Sequence, residues 1–332
     1  MVMRSCLTFL FFSVLTSIVT QSAIANDLVK NWGRGFVEID NQFPLALNHN
    51  SFRPMSPEVK PKGESSLRFT YAISNNYILV KKKYRIDGEY RIANINYRYS
   101  IFDNLELGAN IPLVWRGGGN LDSFVDEFHK KLGFPRGERR GKPKNKFGIY
   151  GLNKDDSAFG LNKTGSEIGD LTLSAKYLLT SGNIQKPAWS ILSEIRLPTA
   201  TEESYGQDSV DITLGVIGSK SYMPWSFYWG GAYLYYADTF LRNIEYKRHH
   251  FEGFLGVEYE FSEKLSFNVA TYIASDLMES IQMFPEYAIY LDTGLKYEIT
   301  PKNIFEFLLR ENPYPSKGTA DFSVIFGVQH SF

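Results

Sequence analysis

Five histidines carry most of the proton-transfer and metal-binding capacity of this sequence: His49, His129, His249, His250 and His330. Nucleophilic or acid–base chemistry needs such a base within hydrogen-bond reach of its partner, and a third group to orient it. His330 and Ser331 are adjacent, so on a strand they point to opposite faces and cannot pair. His250 and Glu252 are two apart and share a face, with His249 beside them. That cluster could serve as an acid/base pair or a metal site; a solvated group of charges at a rim is the simpler account. No Ser-containing nucleophile elbow, zinc-ligand spacing or phosphate-cradling loop accompanies it. Gly117, Gly118 and Gly119 follow Arg116 without the strand-to-helix context of a nucleotide site, and instead permit a tight turn. No cofactor or metal is expected, and no catalytic residue is assigned.

The charges are balanced, 36 basic against 36 acidic, so the chain lacks the basic excess of a nucleic-acid binder. Arg4, the apolar stretch from Cys6 to Val19 and Ala23-Ile24-Ala25 have the layout of a secretory signal peptide, which sets residues 1–25 apart from the mature fold. Cleavage there would remove Cys6, the one cysteine, and with it any disulfide. No later segment reaches 18 consecutive apolar residues, so no helix is expected to cross a bilayer.

Alternation replaces the apolar run. Leu265, Phe267, Val269, Thr271 and Ile273 oppose Ser266, Asn268, Ala270, Tyr272 and Ala274, and the segment from Tyr287 to Ile299 alternates likewise. Such segments recur at 65–74, 86–101, 104–115, 167–180, 187–198, 208–221, 226–237, 248–261, 265–275, 287–299, 303–311 and 319–332. Most are longer than the roughly 5–6 residues usual in globular sheets, and long enough for the about 9–11 that a tilted bilayer-crossing strand needs. Trp189, Trp225, Phe227, Trp229, Tyr259 and Phe261 collect near segment ends, as interfacial girdles do. The fold expected is all-β: a transmembrane antiparallel β-barrel of about 12 strands over residues 65–332. Its connectors alternate in length. Phe102-Asp103, Met223-Pro224, Ser262 to Lys264 and Pro301-Lys302 are tight and Ser181 to Lys186 is modest, whereas 75–85, 116–166, 199–207, 238–247, 276–286 and 312–318 are longer. With both termini periplasmic, every short turn falls inside the cell envelope and every long loop outside. The final alternating face, Phe322, Val324, Phe326, Val328, His330 and Phe332, is similar to the signal read by the outer-membrane barrel-assembly machinery, with Phe332 as its terminal aromatic.

The polar faces assign a lumen. Arg68, Arg98, Lys176, Arg196, Lys296 and Arg310 point inward, against Glu106, Asp170, Glu194, Asp211, Glu252, Glu258, Glu260, Asp292, Glu298, Glu306 and Asp321. Arg98, Glu194, Arg196, Glu258, Asp292 and Lys296 are the charges expected to meet a solute, and the acidic excess favours cations. Paired across neighbouring strands, the same charges would instead hold a narrow barrel shut. Two regions do not alternate. The leader, 26–64, could hang in the periplasm, pair with the rim or fold into the lumen as a plug. The loop 116–166 contains Leu121, Phe124, Val125, Phe128 and Leu132 at helical spacing, with Asn120 as N-cap and Gly133 as stop. A helix over 120–132 is expected to lay Leu121, Phe124, Val125 and Phe128 against the inner wall or mouth of the barrel, with His129 beside Phe128. Trp115 then sits at the outer interface, and Arg116 is placed to meet a lumen carboxylate. The basic run from Arg136 to Lys146 suits lipid phosphates.

Asp87-Gly88-Glu89, Trp115-Arg116-Gly117-Gly118-Gly119 with Leu121-Asp122-Ser123-Phe124, Phe128-His129 and Gly133-Phe134-Pro135 form a recognisable set, with Asn41-Gln42-Phe43-Pro44-Leu45 in the leader. It resembles the signature of the DUF3187 family, regarded as outer-membrane proteins without an assigned activity. The resemblance implies a location in the outer membrane of a Gram-negative bacterium and supplies no site residues. The function expected is a narrow channel or binding barrel for small polar solutes, its mouth constricted by loop 116–166. A structural or interaction barrel contacting lipopolysaccharide and other outer-membrane lipids is the alternative, and a lipid-modifying enzyme a second one.

Overall fold

The computed structural model describes residues 33–133, 143–201, 205–312 and 318–332. The expected signal peptide and the basic residues Arg136, Arg139, Arg140 and Lys142 lie outside the described residues, as do the side chains of Phe128, His129 and Leu132.

In chain order come β1 (Ser65–Val80), β2 (Tyr84–Phe102), β3 (Leu105–Gly117), the helix α1 (Asp122–Leu132) and the short β4 (Gly148–Leu152), β5 (Ala158–Leu161) and β6 (Gly165–Ile168). Then follow β7 (Leu171–Thr180), β8 (Ala188–Leu197), β9 (Asp211–Tyr222), β10 (Trp225–Tyr236), β11 (Phe240–Leu241) and β12 (Ile244–Glu245). The last are β13 (His249–Glu260), β14 (Leu265–Ser275), β15 (Tyr287–Thr300), β16 (Asn303–Glu311) and β17 (Phe322–Ser331). Twelve of these, β1, β2, β3, β7, β8, β9, β10, β13, β14, β15, β16 and β17, pair in that order, and β17 returns to β1. All pairings are antiparallel, and the even count lets the first and last strands meet that way. Closure gives each of the twelve strands a partner on both sides and so leaves the ring no open edge, which a bilayer would not tolerate.

The two faces invert the pattern of a water-soluble sheet. On β14, Ser266, Asn268, Ala270 and Tyr272 are buried inward while Phe267 and Ile273 are exposed. Leu67, Phe69, Ile95, Leu173, Leu214 and Leu255 continue the exposed apolar surface around the ring. An apolar face that wide is costly in water and is what lipid solvates. Trp225, Tyr259, Phe261 and Phe267 form a chain of ring contacts at the short-turn end.

Strand boundaries differ from expectation at one hairpin. Residues 75–85 are not a long link: β1 and β2 stay paired out to Val80↔Tyr84, around a turn at Lys81–Lys83. The cross-strand apolar run Tyr77, Ile78, Val80, Tyr84 and Ile86 is buried, because β4 pairs with β2, and β5 with β4, beside it. Loop 116–166 thus adds sheet to the long-loop end. The bridges Asn153↔Ile281 and Tyr246↔Met278 join three of the loops there into one lid.

Candidate functional site

The interior of the ring is occupied by the leader. Arg34 and Gly35 donate their backbone N–H groups to Glu258 at 3.0 and 2.9 Å, and Arg34 ion-pairs with Glu260 and Glu298 near the short-turn end. The chain then climbs: Arg310 donates to the Asp40 carbonyl at 2.8 Å, Tyr290 to Asn41 at 2.9 Å and Ser74 to Gln42 at 2.8 Å. Phe43 touches Phe284 of the lid. A turn at 43–49 reverses it, and His49 sits between the rings of Tyr236 and Tyr246, with Nδ1 3.1 Å from Asp211. On the descent Arg53 pairs with Glu194, Ser190 donates to the Pro57 carbonyl, and Lys60 reaches Ser331 at 2.6 Å. The leader is therefore a re-entrant loop. Residues 33 and 64, the two ends of its described stretch, lie at the short-turn mouth, and its apex meets the lid.

Local sequence explains the seat. The leader carries Phe36, Val37, Ile39, Phe43, Leu45 and Phe52, all buried, although its described residues form no strand or helix. The wall receives them at inward positions without side chains. A Cβ on Gly256 would lie 2.3 Å from the Phe36 ring, and Cβ atoms on Gly215 and Gly230 would lie 2.9 and 3.0 Å from that of Phe52. These glycines are sockets, and only a residue lacking a side chain leaves room for the rings.

Each expected lumen charge is on the inner wall and engaged. Arg98 forks onto Glu38 of the leader, and Glu194 takes Arg53. Arg196 donates to Asp170 at 3.2 Å and to the leader carbonyls of His49 and Leu47. Glu258 accepts from Tyr228 besides the leader backbone, Asp292 is bidentate to Arg310 at 2.7 Å, and Lys296 bridges Glu306 and the Arg34 carbonyl at 3.0 Å each. Such charges, removed from water, are tolerable only because each is paired and hydrogen-bonded. Between leader and wall remains a polar cavity of about 40 Å³, lined by Asp40, Arg53, Asn94, Asn110, Glu194 and Arg196. That is room for about one water, whose share of liquid volume is roughly 30 Å³.

The loop residues are brought together at the mouth, with corrections. Gly117 ends β3, so the turn begins at Gly118, where a Cβ would strike the Asn145 carbonyl at 2.2 Å; Gly119 has φ +58°. The helix starts at Asp122, and Asn120 does not cap it: Glu89 accepts the N–H groups of Asn120 and Leu121 at 2.9 Å, while the Asn120 amide oxygen faces Arg91. Gly133, with φ +74°, follows the last turn as the stop residue. Of the two positions expected for the stripe, Phe124 takes the mouth and not the inner wall. It is 53% exposed and leans on Phe322 at the top of β17; among the described side chains of the stripe, Val125 is buried and Leu121 half-buried. Asp122 accepts from Asn75 at 2.9 Å, which seats α1 over the β1–β17 rim. Trp115 stacks under the Arg91 guanidinium, and Arg116 is buried against the Tyr205 ring, 4.1 Å from its centroid.

Within the histidine cluster, His250 and Glu252 are buried, whereas His249 is exposed. His250 is 1% exposed, with Nε2 3.4 Å from Glu252 and Nδ1 2.8 Å from the Ser275 hydroxyl; His249 points away, to Tyr233. Glu252 also accepts the Phe52 backbone N–H, and Ser275 accepts that of Phe251. The group thus holds leader and strands together. Among the described residues no cluster of three or more potential metal ligands occurs. In the lid, the hydrogen bond from Lys247 to Asp276 at 2.8 Å raises that ammonium's pKa. Phe332 is exposed, edge-on to His330, and donates its N–H to Ser65 across the β1–β17 seam.

A closed twelve-stranded antiparallel barrel with an apolar outer face and a charged lumen defines a transmembrane barrel protein. The chain belongs to the DUF3187 family, described as proteins of unknown function, whose profile matches residues 12–332. No curated protein matches it in sequence. Among solved structures it is similar to the COG4313 outer membrane channel from Pseudomonas putida F1, at 13% identity over 83% of this chain and 97% of that one, with a TM-score of 0.57. The NanC porin, at 9% identity, 80% and 98% coverage and a TM-score of 0.47, is a looser likeness. So is the KdgM porin in complex with disordered oligogalacturonate, at 8% identity, 80% and 99% coverage and a TM-score of 0.44. At these identities what is shared is the fold.

Proposed function

We propose that this protein is an outer-membrane channel for small polar solutes, held closed by its own N-terminal segment. The observation that carries this reading is the re-entrant leader. From residue 33 to residue 62 it starts and finishes at the short-turn mouth and forms no strand pairing with the wall; side chains make nearly all of its contacts, and its backbone meets the ring's backbone at Gly63 and Glu64, against Ser100 of β2. A segment meant only to stiffen the barrel could have been replaced by bulky inward side chains, as in small filled barrels. Here the wall keeps inward glycines and charges, which suit a space that another element fills. Short turns on the periplasmic side and the lid outside follow the usual arrangement of such barrels. The loop 116–166 contributes to the closed outer mouth through β4, β5 and α1.

The test is planar-bilayer conductance of the full-length protein and of a variant lacking residues 33–60. The full-length protein should be silent or open only in small, rare steps, and the deletion should open steadily with larger steps. A deletion that assembles, migrates as a folded barrel on unheated gels and still conducts nothing would refute the channel reading and favour the structural or interaction barrel.

A further inference from the structure

The outward face of the ring is bare where two glycines meet across neighbouring strands. Gly231 of β10 and Gly253 of β13 are cross-strand partners, and both point to the membrane side. Their neighbours in the same row are Val216 of β9 and Ile273 of β14. One step toward the short-turn end lie Trp229 and Leu255; one step toward the lid lies Phe251, beside Tyr233. The result is a hollow of about 730 Å³ in the lipid-facing surface, running up to Ser275, Glu286 and Tyr287 near the long-loop rim. Its volume falls within the roughly 300–1,000 Å³ range of small-molecule sites, so it is more than a gap between side chains.

Its frame is stiff. Trp229 meets Trp189 edge-on at 5.5 Å, with the Trp229 ring lying over Gly218, the strand partner of both, and Phe251 packs on Tyr233 at 5.5 Å. Leu255 and Phe251 are 67% and 60% exposed, among the barest apolar side chains of the belt. Water does not fill an apolar hollow at hydrocarbon depth, and an empty one forfeits the dispersion contacts of its whole lining. Within a bilayer it is this packing, rather than exclusion from water, that selects one neighbour over another.

We infer that the hollow is a binding site for one acyl chain of an outer-leaflet lipid, with the chain along Gly231 and Gly253 and its polar end at Ser275, Glu286 and Tyr287. The occupant follows from the surroundings: the hollow is continuous with the lipid-facing belt, runs from mid-barrel to the rim, and is mainly apolar, with the Thr271 side chain beside Leu255 and the other polar groups gathered at its upper end. This inference rests on the membrane-spanning reading of the barrel and not on whether the lumen conducts.

Gly231 allows a direct test, because a Cβ there meets nothing closer than the Glu252 carbonyl at 3.8 Å. Gly231→Leu therefore fills the hollow from the wall. The full-length protein and its variants would be reconstituted in phosphatidylcholine vesicles, re-extracted in mild detergent and weighed intact by native mass spectrometry. The unaltered protein should retain one phosphatidylcholine. Gly231→Leu should lower that retention by about tenfold, the factor carried by roughly 1.4 kcal/mol of lost contact. Phe251→Ala, which removes one edge by truncation, should lower it too, while Ile95→Ala on a distant strand should not. No retained lipid on the unaltered protein, or equal retention by Gly231→Leu, would overturn the site. So would a dimer that Gly231→Leu abolishes, since a second copy would then be the occupant. Heat-modifiable gel migration separates the two levels: its loss in the unaltered protein would sink the barrel reading itself, and its persistence without bound lipid sinks only this inference.

Discussion

Arg53 links the leader to the wall through Glu194, with Asp40 3.7 Å from its other nitrogen. Glu194 is buried, so Arg53→Ala would leave a carboxylate without its partner, a change that costs about 3–5 kcal/mol. We expect that cost to fall on the seat of the leader rather than on the ring, whose backbone pairing does not involve Arg53. Bilayer recordings of Arg53→Ala should show more frequent openings than the unaltered protein, and Arg53→Ala with Glu194→Gln should return toward the closed state because no orphan charge remains. Equal gating of all three would show that the pair does not hold the leader. A second route uses no charge. Gly256→Leu fills the Phe36 socket and should raise open probability in the same assay, whereas a leader that stays seated would sink the socket argument. At this scale the wall was legible and its partner was not. Glu194, Arg196, Glu258 and Lys296 follow from a period of two. Glu38, Asp40 and Arg53 belong to a segment without a period, and the clue available was its unexpected apolar content, Phe36, Val37, Ile39 and Phe52, which a solvated tail has no use for.

The elements divide along the same line. Barrel strands were readable to within a few residues because one face must meet lipid and the other a polar interior, a constraint acting on every second residue. The β1–β2 hairpin escaped because its distal half leaves the membrane and is covered by β4 and β5, so its alternation turns into a continuous buried run from Tyr77. The helix α1 was readable from spacing, and its seating was not, because that depends on Glu89, 33 residues before the first helical residue. Glu89 is fully buried and accepts two N–H groups of the approach to α1 while pairing with Arg91 at 2.7 Å. Glu89→Gln keeps the shape and removes the charge. Hydrogen bonds to charged groups contribute about 1.5–3 kcal/mol, so local opening of α1 should become roughly ten- to a hundredfold more frequent. Hydrogen exchange should report this as faster exchange within 120–133 and unchanged exchange in β7–β10. Unchanged exchange in α1 would mean that Asp122, through Asn75, is sufficient to hold it.

For the whole molecule, the separation of charge from width makes the strongest demand on the proposed function. The inward strand residues contain more acids than bases, whereas residues 33–64 contribute Arg34, Arg53, Lys60 and Lys62 against Glu38, Asp40, Glu58 and Glu64 and are neutral as a segment. Removing the leader should therefore widen the passage without changing the sign of its field. The variant lacking 33–60 is expected to favour cations, read as a reversal potential of the cation-selective sign across a potassium chloride gradient. The preference should be clear near 0.1 M salt, where the screening length is about 10 Å and the wall charges reach across a narrow lumen, and should shrink toward 1 M, where it is about 3 Å. Reversing Glu194 and Asp292 together to lysine, in the same deletion, should weaken or invert the preference because two acids become two bases on facing parts of the wall. An anion-selective pore, or a preference that ignores both salt and these substitutions, would mean that ions pass somewhere other than the lumen these charges line.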